Sequence, residues 1–119
     1  MELFTALQLK KLMMNGMDHN NAMAQNLRDA ANRWPVVRLT DGVTEWLLTE
    51  VDPEEPNVAF GLIVDAFGCA NIGYVNLPSL QSAFKVDTVW EVVNDDRFNP
   101  TMALSEYAYR ARVAHETAP

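Results

Sequence analysis

The sequence predicts an α+β domain: an antiparallel sheet of four to five strands in a meander, with two N-terminal helices, a short helix after strand four and a C-terminal helix. Three observations carry that expectation. Asp41-Gly42 separates two β-rich runs, the chemistry of a tight hairpin. The run from Val58 to Ala66 is apolar on nearly both of its alternating faces, as suits a strand covered on each side. Apolar residues at helical spacing lie towards both ends of the chain, outside these runs.

With 119 residues, the chain fits one domain, 1–119, able to bury a core without staples. Its parts are a helical pair over 1–34, a β-meander over 35–77 and a helix-strand-helix segment over 78–115. Hydrophobic residues at 49% and charged residues at 21% argue against disorder.

Residues 2–15 are expected to form the first helix, with Leu3, Leu7 and Met14 in one stripe. Asn15-Gly16 is expected to end it, glycine suiting the left-handed position past a helix C-terminus. Asp18 then caps a second helix in which Met23, Leu27, Ala30 and Trp34 recur, and Pro35 stops it. A two-residue turn at Asp41-Gly42 pairs Thr40 with Val43, Arg38 with Glu45 and Val36 with Leu47, and so predicts an Arg38–Glu45 ion pair. An acidic turn with Pro53 and Pro56 joins the second strand to the third. The turn at Gly68–Asn71 leads into a fourth strand, Ile72–Leu77. Leu77–Phe84 reads as a short helix and Val86–Val93 as a fifth strand. Thr101 or Ser105 caps a last helix with Leu104, Tyr107, Ala108 and Ala111 on one face.

The net charge of −7 is concentrated. Between Asp41 and Asp96 eleven carboxylates face one base, Lys85, whereas the flanks are net positive. Such a field repels phosphate and attracts basic surfaces, although acidity also serves solubility alone. Direct nucleic-acid binding is therefore disfavoured; Lys10-Lys11 and Arg28, Arg33 and Arg38 make only a modest basic patch. Val58–Val64 is too short to cross a bilayer, and Met1–Thr5 lacks a basic leader region. The expectation is a cytoplasmic protein of a bacterial host, not a membrane protein. Cys69 is the single cysteine, which excludes an intrachain disulfide and a thiolate zinc cage.

Chemistry-bearing residues are sparse. His19 and His115 read as solvated surface histidines, and Cys69 as a turn thiol without a sequence-adjacent activator. Asp65 interrupts an apolar strand and reads as structural. The acids at 50, 52, 54 and 55 lack the glycine and the far-end bidentate acid of a calcium loop, and no Gly-Lys-Ser/Thr marks a phosphate loop. No catalytic residue, metal ligand set or cofactor is expected. The favoured reading is a non-enzymatic protein that meets a protein partner with a basic surface through Glu50, Asp52, Glu54, Glu55, Asp95 and Asp96. The alternatives are a small hydrolase or transferase with Asp65 or Cys69 in a pocket, and a DNA-binding regulator using the N-terminal helix pair. A first helix apolar on two sides also allows a homodimer.

Trp34-Pro-Val-Val-Arg-Leu39, Thr44-x-Trp-Leu-Leu-Thr-Glu-x-Asp-Pro-x-x-Pro56, Ala59-Phe-Gly-Leu62, Gly73-Tyr-Val75 and Leu104-Ser-x-Tyr-Ala108 resemble the pattern of the family catalogued as domain of unknown function 2958. The resemblance covers nearly the whole chain. It implies an accessory protein of plasmids, integrative elements and phages, and brings no catalytic residues. An anti-CRISPR or antirestriction role is the concrete form that protein binding takes in that setting.

Overall fold

In the computed structural model, which describes residues 3–24, 33–82 and 92–117, four consecutive β-rich runs form β1 (Val37–Thr40), β2 (Glu45–Asp52), β3 (Glu55–Val64) and β4 (Ala70–Asn76). Helix α1 (Ala6–Ala24) precedes them; α2 (Leu77–Ser82), a short β5 (Val93–Asn94) and α3 (Leu104–Thr117) follow. All strand pairs are antiparallel, and the sheet order is β4-β3-β2-β1-β5. The meander thus forms as expected, and the last strand returns to its far edge beside β1.

Period-two alternation sends the strand residues into two cores. Val37, Leu39, Trp46, Leu48, Val51, Ala59 and Val75 pack with Leu12 of α1 and with Leu77 and Leu80 of α2. Leu47, Leu62 and Ala70 pack on the opposite face with Leu104 and Ala108 of α3. Tyr107 and Ala111 join that second core, so the apolar stripe expected of the last helix faces the sheet.

The expected pair of N-terminal helices is corrected to one. Thr5 and Gln8 form a capping box, the Gln8 N–H donating to Thr5 Oγ1 at 3.1 Å and the Thr5 N–H to Gln8 Oε1 at 2.9 Å. From there α1 runs through Asn15-Gly16 without a break. Gly16 has no left-handed turn to make; its missing side chain lets the helix touch β2. A Cβ there would collide with the Val51 carbonyl oxygen and lie 3.0 Å from Pro53 Cδ. The stripe expected for this helix is displaced as well, because Leu7 and Met14 are exposed and Leu12 is buried. Residues 25–32, the rest of the expected second helix, lie outside the described residues, and Trp34, expected in its apolar stripe, is exposed.

The first hairpin is two residues out of the expected register: Thr40 pairs with Glu45 and Arg38 with Leu47. Asp41 Oδ1 accepts the N–H groups of Val43 (2.9 Å) and Thr44 (2.7 Å), and Thr40 Oγ1 donates to the Thr44 carbonyl at 2.9 Å. These side-chain bonds stabilise a four-residue loop in place of the two-residue turn, with Gly42 at φ 96°. A shift of two keeps every side chain on its face. Arg38 and Glu45 still pair at 2.7 Å, now on a diagonal, and Arg38 also holds Asp95 at 3.0 Å. Of the fifth strand expected over Val86–Val93, residues 86–91 lie outside the described residues, as do 83–84 of the expected short helix, and the strand is seen as Val93–Asn94.

Candidate functional site

The β1 ladder ends where Val37 faces Leu48, while β2 continues to Asp52. Beyond Leu48, α1 takes over the edge that β1 has left. The pairing of β2 with β3 passes from Leu48–Gly61 to Glu50–Phe60, so Thr49 is an extra residue and the strand bulges. Asn15 Nδ2 donates to the freed Thr49 carbonyl at 2.8 Å, and both groups are buried. Leu12, Asn15, Gly16 and His19 fall at helical spacing on one face of α1. Only the first of them is apolar; the other three bring polar groups or close approach to the bulge.

His19 thereby reaches Glu50. Its Nδ1 lies 3.1 Å from Glu50 Oε1, close enough to favour the charged carboxylate. The Glu50 side chain is only 6% exposed. Burial raises its pKa above the ordinary 4.5; His19 and Arg33 oppose that rise, and Asp52 adds to it. Arg33 Nη1 donates to Asn15 Oδ1 at 3.3 Å and stands 3.9 Å from Asp18 Oδ2, which ties the same helix face to the segment entering β1. Beside Glu50 is a recess of about 60 Å³ whose wall includes His19, Asp52, Phe60 and Tyr74. The Phe60 and Tyr74 rings meet edge to face at 5.4 Å.

A raised carboxyl pKa means that folding favours the protonated form. Glu50 therefore supports stability below its ordinary pKa, and that support is lost as pH rises through the raised folded value. Glu50→Gln is expected to melt above the wild type at neutral pH. The gap should close as the buffer is taken down towards 4.5. Thermal melts across that range, giving a gap independent of pH, would show that the buried carboxyl is not held against its charge.

The six candidate acids do not form one patch. Glu50 is withdrawn into the recess, whereas Asp52 is half-buried and Glu54 and Glu55 are exposed at the β2–β3 turn. Asp52 Oδ1 accepts the Glu54 N–H at 2.9 Å and so shapes that turn. Asp95 follows β5 and is paired with Arg38, with Asp96 exposed next to it. Arg38 faces Leu47, five residues short of Asp52, which puts roughly 17 Å of strand between Asp95 and the acidic turn.

Asp65 and Cys69 close the β3–β4 turn. Asp65 Oδ1 accepts the N–H groups of Phe67 (2.9 Å) and Cys69 (3.0 Å), so its carboxylate is engaged in holding the turn, and the thiol is exposed. Arg38 is occupied by two carboxylates and Arg33 by Asn15, which disperses the basic patch; Arg28 lies outside the described residues. Among the described residues no group of three His, Cys, Asp or Glu is arranged to hold a metal ion, and no helix is long and apolar enough to cross a membrane.

Sequence reasoning missed His19, Phe60 and Tyr74 as neighbours of an acid. The readable sign was Glu50 itself, a charge within the otherwise uncharged run Trp46–Val51. A family model described as protein of unknown function (DUF2958) matches residues 3–117. No curated protein and no solved structure matches the chain.

Proposed function

Because the chain belongs to the DUF2958 family, whose description assigns no activity, we propose from the geometry that it is a non-enzymatic binding protein whose β2–β3 turn engages a basic protein surface. One observation carries this: Asp52, Glu54 and Glu55 crowd the turn, and among the described residues no base stands within ion-pair distance of them. The strong negative charge of the chain adds long-range attraction for a cationic partner. A basic surface built to hold phosphate is the complementary chemistry. The concrete form of the reading is an accessory of a mobile element that occupies the nucleic-acid-handling face of a host defence complex.

The test is capture with the tagged protein at low salt, from a bacterial host that carries such complexes. A stoichiometric partner should be retained and then released as salt screens the exposed charges. Glu54→Lys with Glu55→Lys should weaken retention by about tenfold or more, since like charges then face the partner. Equal retention by the reversed variant would sink the reading.

A further inference from the structure

We infer that the free edge of β4 is a homodimer interface, at which two copies of the chain join their sheets antiparallel about a twofold axis through Gly73. This surface is separate from the acidic turn, and the inference does not rest on the binding role proposed above.

β4 ends the sheet, and among the described residues no strand pairs with its outer side. The Asp65 N–H donates to the Cys69 carbonyl at 3.0 Å, which makes those two residues a hydrogen-bonded pair at the head of the β3–β4 ladder. From there the register runs without a shift from Val64–Ala70 to Val58–Asn76. Alternation therefore turns the main-chain groups of Asn71, Gly73 and Val75 towards β3, and those of Ala70, Ile72, Tyr74 and Asn76 outward. The Ala70 carbonyl accepts Arg112 Nε of α3 at 3.3 Å, as an outward group can. Natural edges are guarded by lysine, proline, a bulge or short length. Ala70–Asn76 is seven residues long, with no charge, no proline and no bulge. Arg112 guards one end only. Beyond it Tyr74 is 71% exposed, and a Cβ at Gly73 would meet nothing within 4 Å.

Charge and register make a second copy the occupant. With a net charge of −7, two copies repel in most orientations, but this edge is uncharged and its ends are unlike. Arg112 marks the Ala70 end. The acidic turn lies past the other end, because Asn76 pairs with Val58, three residues after Glu55. Antiparallel pairing sets the basic end of each edge against the acidic end of its twin. With Gly73 opposite Gly73, Ile72 of each copy exchanges two main-chain hydrogen bonds with Tyr74 of the other. The glycines then meet at the close position of the ladder, with Cα atoms about 4.5 Å apart. Ile72 and Tyr74 side chains form an aromatic–β-branched pair on each side of the axis. Tyr109 and Val113 flank Arg112 on α3, partly or largely exposed, and extend the apolar surface beside the edge.

The test is sedimentation velocity of the full chain over a rising concentration series, with amide exchange followed by NMR on the same samples. A monomer–dimer equilibrium is expected. Exchange at the Ile72 and Tyr74 N–H groups should slow as the dimer fills, while Gly73 and Val75, already bonded to β3, stay protected throughout. Tyr74→Lys should weaken dimerisation by about tenfold or more, since the twofold axis places two cations in one interface. Gly73→Cys in a Cys69→Ser background should form an interchain disulfide on mild oxidation, because directly opposed positions bring the two Cβ atoms within bridging reach. A chain that stays monomeric across the series and does not cross-link overturns the inference. So does a dimer in which Ile72 and Tyr74 exchange as fast as in the monomer, or one that Tyr74→Lys leaves unchanged, since the interface then lies elsewhere.

Discussion

Gly16→Ala is expected to destabilise the fold by about 2–3 kcal/mol, the upper range for inserting a methyl group into a packed contact. Both neighbours of the new Cβ belong to the main chain or to a proline ring, the Val51 carbonyl and Pro53 Cδ, so neither can rotate away. In an exposed helix the same change stabilises by up to about 1 kcal/mol through propensity. The two effects oppose each other, and the sign of the measured change decides between them. Urea unfolding that showed the alanine variant equal to or more stable than the wild type would mean that α1 does not lie this close to β2. The displaced helix also carries His19 with it, so the pH-dependent stability assigned to Glu50 should change in the same variant.

Leu12→Ala is expected to cost about 2–5 kcal/mol, as for other fully buried leucines, whereas Leu7→Ala should stay within about 0.5 kcal/mol. The contrast follows from their positions, since Leu12 is 0% exposed in the core beneath α1 and Leu7 is 79% exposed. A larger loss at Leu7 than at Leu12, read from denaturant midpoints, would put the helix in the rotation that its hydrophobic pattern suggests rather than the one described.

That contrast also shows why part of the fold was legible in the sequence and part was not. The last helix was readable because Leu104, Ala108 and Ala111 are both its apolar stripe and its contact face. The first helix was misread because its contact face is Leu12, Asn15, Gly16 and His19, so the residues that meet the sheet are mostly those a hydrophobic count discards. Asn15-Gly16 has the local chemistry of a helix stop, and only the sheet beside it gives that pair another use. The hairpin kept its faces and its Arg38–Glu45 pair but lost its register, because capping by the Asp41 and Thr40 side chains outweighed the two-residue preference of Asp-Gly. At the candidate site, the turn acids were legible as exposed charges. The burial of Glu50 was not, because it depends on a one-residue bulge and on a helix more than thirty residues upstream.

Asn94 Nδ2 donates to the Leu3 carbonyl at 2.9 Å and to Gln8 Oε1 at 2.7 Å, across sequence separations of 91 and 86 residues. Gln8 is the same residue whose side chain caps the start of α1. The amino-terminal lock of the helix is therefore completed by a residue made 86 positions after Gln8. During translation the β-meander can assemble from neighbouring hairpins, but the lock must wait for β5 to emerge. Cutting the chain before Asn94 would leave the start of α1 without its last fastening, which makes its protection from amide exchange a direct report on whether β5 has docked.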